Sequence, residues 1–284
     1  MQTIDLHLHT TASDGTDAPR DVVTQAAALG LAACAITDHD TADGVPEALE
    51  AGAALGIEVV PGIEVSSDYR DNNIHILGYF IDPDSPALRP VLDWVSRERD
   101  ERNQRMAEMM AAAGYDISLE ALERTYPGAV LGRPHFCDYL VRQGVIASVE
   151  EGFATLLGVG CPFFLPKRRI PIARAAEVIR EAGGVPVLAH PLQYGYRGQE
   201  LQDLADTARD VGIRHLEAYY SEHSEADERQ MLSLARKMGF GVTGGSDFHG
   251  SRKPYIHIGS GTGRMTVPYS VLEDLKAWRD AHRA

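Results

Sequence analysis

The sequence predicts an α/β fold, and three observations carry that expectation. Short apolar strands alternate with helical patterns from residue 3 to residue 80, a long helical stretch then interrupts them, and the alternation resumes near Gly184. Short apolar strands separated by helices imply parallel pairing through crossover connections. The 284 residues leave room for one large α/β domain or for a domain that carries an insertion.

The first strand is the run Thr3 to Thr10. Ile4, Leu6 and Leu8 point one way, and Asp5, His7 and His9 the other, because successive strand side chains alternate. Two imidazoles two residues apart on one strand face can reach a single metal ion. A turn-rich loop follows from Thr11 to Thr16. Pro19 opens a helix through Val22, Val23, Ala26, Ala27 and Leu29 that Gly30 closes. The second strand, Ala33 to Thr37, runs into Asp38, His39 and Asp40, and the next helix, Val45 to Leu55, stops at Gly56. The third strand, Ile57 to Val60, leads into Pro61-Gly62-Ile63-Glu64-Val65, and the fourth is Ile74 to Phe80.

From about Ser85 to Pro166 the periodicity is helical, with a long charged helix from Trp94 to Ala113 and shorter ones at Leu119–Arg124, Pro134–Gln143 and Val149–Leu157. The strands return at Gly184 to Pro191, His215 to Tyr220 and Gly241 to His249, about seven in all. The expected organisation is a barrel of residues 1–84 and 167–284, with a small helical insertion, residues 85–166, that helps form the substrate pocket.

Composition narrows the function. Apolar residues at 44% can fill a core, and the net charge of −14 argues against a broad nucleic-acid surface, so long duplexes are not expected partners. Cys34, Cys137 and Cys161 form neither a disulfide framework nor a zinc-ribbon pattern, which fits a reduced, cytoplasmic setting. The chain starts directly with a strand rather than a basic, apolar leader. No apolar stretch approaches the roughly 20 residues that span a bilayer, so no membrane association is expected.

Six of the eleven histidines (His7, His9, His39, His75, His190 and His249) fall at the ends of expected strands, together with Asp38, Glu64 and Asp247. Barrels of alternating strands and helices build their sites at those ends. Singly, each has a plain structural explanation: Asp38 as a helix N-cap, Glu64 as a solvated charge, His190 as a packed residue before Pro191. Their convergence points to a metal centre. Imidazole mixed with carboxylate and no thiolate suits Mn²⁺, Zn²⁺ or Fe²⁺, and is too rich in imidazole for Mg²⁺ or Ca²⁺. Nine or ten donors exceed the needs of one ion, so two or three are expected, with a carboxylate such as Glu64 between two of them. Asp38 is expected to orient a ligand histidine.

The motif series is His7 and His9, Thr37-Asp38-His39, Pro61-Gly62-Ile63-Glu64, Ile74-His75-Ile76-Leu77-Gly78, Ala189-His190-Pro191 and Gly245-Ser246-Asp247-Phe248-His249. In this order, over nearly the whole chain, it resembles the series of the PHP (polymerase and histidinol phosphatase) family. The resemblance implies a distorted (β/α)7 barrel, kinship with the amidohydrolase superfamily and a trinuclear metal centre, Mn²⁺ foremost, that hydrolyses phosphoesters. Carried over position by position, one ion would take His7, His9, Glu64 and Asp247, a second Glu64, His75 and His190, and a third Asp14, His39 and His249. Some members of the family have His where this chain has Asp14, and a carboxylate remains a competent ligand. Glu64, Asp247 and His249 are the catalytic candidates.

A basic set at Arg133, His135, Lys167 and Arg197 would suit a second phosphate. Tyr194 and Phe248 are candidates for stacking a base, and Ser246 is a further candidate substrate contact. With the resemblance, this points to a stand-alone phosphatase that releases phosphate from a 3′,5′-nucleoside bisphosphate or acts on the 5′ end of short RNA or DNA oligonucleotides. Histidinol phosphate phosphatase is the alternative. A non-catalytic, metal-stabilised module is the further one; it predicts missing ligands, whereas this chain has a full set.

Overall fold

A computed structural model describes residues 2–166 and 168–282. The chain is mixed α/β and divides into two compact units, Met1–Leu92 with Arg169–Ala284, and Asp93–Arg168. The element order opens with β1 (Thr3–Leu8), α1 (Pro19–Ala28), β2 (Ala33–Ile36), α2 (Val45–Leu55), β3 (Glu58–Tyr69) and β4 (Asn72–Tyr79). Four helices follow: α3 (Leu88–Ala112), α4 (Leu119–Thr125), α5 (Arg133–Arg142) and α6 (Val149–Gly152). The strands resume with β5 (Ile170–Pro171), α7 (Ile172–Glu181), β6 (Val185–Leu188), α8 (Gly198–Asp210), β7 (His215–Tyr220), α9 (Glu225–Met238), β8 (Gly241–Gly245), β9 (Val267–Pro268) and α10 (Ser270–His282).

In the larger unit the strands run in the order β8-β7-β6-β4-β3-β2-β1-β9, with β5 paired to β3. The pairs β1–β2, β2–β3, β6–β7 and β7–β8 are parallel, as short apolar strands joined by helices require. The segment after β8 is stitched back to β1. Asp247 N–H donates to His7 O at 2.8 Å and His9 N–H donates to Phe248 O at 3.0 Å, which nearly closes the sheet into a barrel. Two apolar cores flank it. Leu6, Leu77, Tyr79 and Val187 pack with Val267 and Leu272, and Leu8, Val22, Ile36, Ala48 and Phe248 pack together beside α1 and α2.

One expectation is corrected here. The fourth strand is not a parallel strand reached by a crossover, because β3 continues to Tyr69 and turns straight into β4, so that β3–β4 and β4–β6 are antiparallel. Arg70 and Asp71 make the turn with φ of +50° and +66°. Two consecutive positive φ angles are the hairpin geometry that matches strand twist. Consequently Glu64 and His75 lie within long strands rather than at strand ends.

The helical unit has its own core, in which Met106, Met110, Leu122, Phe136, Leu140 and Leu157 are buried. Ser118 and Ser148 cap the N-termini of α4 and α6 by accepting from Ala121 N and Glu151 N, which satisfies otherwise unpaired amides. Cys34, Cys137 and Cys161 are unpaired thiols. No helix among the described residues is long and apolar enough to cross a membrane.

Candidate metal centre

β1 delivers His7 and His9 to one face, both fully buried, with their Nε2 atoms 3.1 Å apart. Glu64 reaches the same point from β3. Its Oε2 lies 3.3 Å from His7 Nε2, 3.2 Å from His9 Nε2 and 3.0 Å from His39 Nδ1. Its Oε1 lies 2.9 Å from both His75 Nδ1 and His190 Nε2. Asp247 Oδ1 approaches His9 Nε2 at 3.1 Å, and Asp14 Oδ1 approaches His249 Nε2 at 3.3 Å.

Three sets of donors emerge, each with its atoms within 4.8 Å of one another: His7, His9, Glu64 and Asp247; His9, Asp14, His39 and His249; and His39, Glu64 and His75. His9, His39 and Glu64 each belong to two sets. His190 stands beside the third, on Oε1 of Glu64. Two site residues hold left-handed backbone, His190 at φ +24° and Asp247 at φ +56°, a conformation rare outside glycine that tends to gather at functional sites.

Electrostatics fit a cation site. Burial disfavours the charge of Glu64, but His39, His75 and His7 outweigh it and hold the carboxyl well below its usual range. Asp14, which is half-buried, and Asp247, which is buried, are likewise held low, the first by His249 and His39, the second by Lys253 and His249. Burial opposes a proton on His9, yet Asp247 and Glu64 push it up to about 9, whereas burial pulls His39 down to about 3. Ionised carboxylates are therefore balanced by imidazole protons that a divalent ion would displace. Among the described residues, His9 Nδ1, His39 Nδ1, His75 Nδ1 and Glu64 Oε2 are buried and make no well-aligned hydrogen bond, despite the short His39–Glu64 and His75–Glu64 separations. Such atoms are costly to leave unsatisfied. The donor set, imidazole and carboxylate without thiolate, fits divalent metal binding.

With this geometry in place, the comparison with known proteins is direct. Residues 5–158 match the PHP domain, a span that includes His7, His9, Asp14, His39, Glu64 and His75. The chain belongs to the PHP family. It is 34% identical to the 5′-3′ exoribonuclease Rnm of Salmonella typhimurium over 96% of this chain and 93% of that protein. It is 33% identical to the 3′,5′-nucleoside bisphosphate phosphatase of Chromobacterium violaceum over 88% of each. A crystal structure from Bifidobacterium adolescentis, assigned as a metal-dependent phosphoesterase, superimposes with a TM-score of 0.86 at 29% identity, covering 97% of this chain and 96% of that one. The chain is a metal-dependent phosphoesterase, a hydrolase of phosphoric ester bonds.

Around the PHP centre lies a layer of side chains that the motif series does not contain. Glu217, buried on β7, faces His7 Nδ1 with Oε1 at 2.9 Å and accepts His190 N–H on Oε2 at 2.9 Å. Its only sequence signal is a carboxylate inside an otherwise apolar strand. Asp5 accepts Ser246 N–H at 2.8 Å and His7 N–H at 3.2 Å on Oδ1, and Gly259 N–H at 2.7 Å on Oδ2. Gly245 permits the approach of β8 to β1, since a Cβ there would sit 2.3 Å from His7 N.

Two sequence-based expectations change, those for Asp38 and Phe248. Asp38 does not hold a ligand imidazole. Its Oδ1 accepts from Thr10 N at 2.7 Å and Ser13 Oγ at 2.6 Å, and its Oδ2 from Thr10 Oγ1 at 2.7 Å, so it fastens the loop that presents Asp14. Phe248 is not free to stack a base, because its ring is buried in the core beside Leu8 and Ile36. Tyr194 accepts His75 N–H at 2.7 Å and donates to Ala189 O at 3.1 Å, tying β4 to the end of β6. Ser246 meets Asp5 through its backbone.

Of the basic set, Arg197 sits on the barrel and braces its own loop by donating to Leu192 O at 2.9 Å. Arg133 and His135 belong to the helical unit. Arg133 lies over the rings of Phe153 and Phe164 and donates to Leu157 O at 3.2 Å. His135 is fully buried, and its Nδ1 accepts Gly132 N–H at 3.0 Å across the first turn of α5. Its role there is a helix cap. Lys167 lies outside the described residues.

Proposed function

We propose that this PHP phosphoesterase cleaves the bond between phosphorus and O3′ in a nucleotide that also carries a 5′-phosphate. The preferred substrate is a 3′,5′-nucleoside bisphosphate, which yields a 5′-monophosphate and inorganic phosphate. The 5′-phosphorylated end of a short RNA is the second. One observation carries this reading: near-equal similarity, over most of the chain, to an exoribonuclease and to a bisphosphate phosphatase. The 5′-terminal unit of a phosphorylated RNA is itself a nucleoside esterified at both O5′ and O3′, so a single site and a single bond cleavage serve both substrates.

Two to three divalent ions would be held by His7, His9, Asp14, His39, Glu64, His75, His190, Asp247 and His249. Mn²⁺ is preferred, with Zn²⁺ or Fe²⁺ as alternatives. When bound, such ions lower the pKa of water and offset charge on phosphoryl oxygens. The residues of the chain supply position. Glu64 faces histidines with both oxygens, an arrangement that would suit a carboxylate shared between ions. Asp247 and His249 are the residues proposed to move protons, and hydrolysis returns one proton to O3′ of the departing nucleoside. Arg197 is the barrel cation proposed to grip the 5′-phosphate, with a guanidinium suited to a bidentate hold. The unpaired thiols suit a reducing cytoplasm.

The test is a substrate series on the Mn²⁺-loaded protein: a 3′,5′-bisphosphate, the matching 3′- and 5′-monophosphates, histidinol phosphate, and short RNA with and without a 5′-phosphate. The bisphosphate should give the highest kcat/KM and leave the 5′-monophosphate, and RNA lacking the 5′-phosphate should be a poor substrate. Equal rates on bisphosphate and either monophosphate would overturn the substrate assignment, as would a preference for histidinol phosphate.

A further inference from the structure

The two oxygens of Asp247 have different surroundings. Oδ1 faces the imidazoles, 3.1 Å from His9 Nε2, 3.6 Å from His7 Nε2 and 3.5 Å from His249 Nδ1. Oδ2 faces away from them and accepts two hydrogen bonds, from Tyr220 Oη at 2.8 Å and Lys253 Nζ at 2.7 Å. Tyr220 closes β7 and is almost fully buried, with 5% of its surface exposed. Lys253 follows the short 3₁₀ turn Gly250–Arg252, six residues after Asp247. The main chain of Asp247 is fixed as well, by its N–H bond to His7 O at 2.8 Å and by a φ of +56°.

We propose that Tyr220 and Lys253 are a positioning pair that occupies Asp247 Oδ2 and so presents Oδ1 alone to the ion held with His7, His9 and Glu64. A carboxylate left free on both sides can swing or chelate through both oxygens. Two donors on one oxygen remove that freedom before any ion arrives. The pair works through Asp247. A hydroxyl and an ammonium act differently on a nearby ion. Tyr220 contributes orientation without charge, whereas Lys253 contributes orientation and a positive charge that repels the ion. The pair requires orientation to outweigh repulsion, and the Lys253→Met variant measures which one wins.

This inference rests on the metal-centre reading above, and the experiment separates the two. Ion affinity is measured on the full chain by competition with a chelator for Mn²⁺, with the Tm of the metal-free protein as a fold control. Failure of the parent protein to bind Mn²⁺ would remove the metal reading itself. Given binding by the parent, Tyr220→Phe should weaken it by about tenfold or more, the scale seen when a partner of a ligand is lost. In an Asp247→Ala background the same substitution should change affinity less than about threefold, since its target is gone. Lys253→Met added to Tyr220→Phe should weaken binding further. Tyr220→Phe without effect, or with equal effect in both backgrounds, would overturn the proposal. Binding unchanged or tightened by the added Lys253→Met would show that Lys253 acts by repulsion and would overturn the pair.

Discussion

The Nδ1 atom of His7 lies 2.9 Å from Oε1 of Glu217, and the other oxygen of Glu217 accepts the backbone N–H of His190 at 2.9 Å. One carboxylate on β7 therefore sets the ring of a β1 histidine and the main chain that carries a second histidine after β6. A hydrogen bond on one ring nitrogen fixes the tautomer, so that the other, here Nε2, offers its lone pair to a metal. Glu217→Gln keeps the size but replaces an oxygen by an N–H donor. Ion affinity should fall about 10- to 100-fold, read by chelator competition. An unchanged affinity would mean that His7 is oriented without Glu217.

Asp38 makes a separate prediction because it acts on a loop. Its carboxylate collects Thr10 N, Thr10 Oγ1 and Ser13 Oγ, four residues or fewer before Asp14. Asp38→Asn leaves one of these donors facing an amide N–H. The cost should be about 1–3 kcal/mol of stability, the range for an unsatisfied buried group, seen as a lower denaturation midpoint. Ion loss should fall on the set of His9, Asp14, His39 and His249, and elemental analysis should show fewer ions per chain with some retained. Loss of every ion at unchanged stability would contradict this division of labour.

Much of this arrangement was legible in the sequence, for a physical reason. Period-2 alternation in Thr3–Thr10 places His7 and His9 on one face without any knowledge of the rest of the fold. Strand–helix alternation also announces the barrel. The place of Glu64 was harder, because Pro61 and Gly62 read as the end of a strand. Pro61 is instead paired in register with Ile36, and β3 continues to Tyr69. The hairpin turn at Arg70 and Asp71 carries none of the usual glycine signal. The strands β5 and β9 have two residues each and are too short to show a period. Glu217, Asp5 and Lys253 were not legible as site residues. The His7–Glu217 contact spans 210 positions, and only the nearly closed sheet brings the two together.

His215 yields a prediction about pH. It opens β7, is 3% exposed and packs edge-on against Trp278 with ring centroids 5.0 Å apart. Burial lowers its pKa from 6.5 to about 4. The unfolded chain therefore takes up this proton more readily than the folded chain between about pH 6.5 and 4. Stability is fully present above the unfolded value and is lost as pH falls through that window, with no further loss from this group below it. The scale is about 1–3 kcal/mol, at roughly 1.4 kcal/mol per pKa unit before relaxation of the site. In metal-free protein, His215→Phe should flatten the denaturant midpoint between pH 6.5 and 4 relative to the parent. Parallel pH profiles for the two proteins would show that His215 titrates normally.

The central claim is a hydrolytic centre built on several ions around Glu64, and counting ions in active protein tests it most directly. Elemental analysis of the purified chain, on the same sample that releases phosphate from a 3′,5′-nucleoside bisphosphate, should give two to three transition-metal ions per chain. Glu64→Gln, which preserves shape and removes charge, should lose ions and lower turnover by about 100-fold or more with the fold retained. Fully active protein with at most one ion per chain would contradict the account.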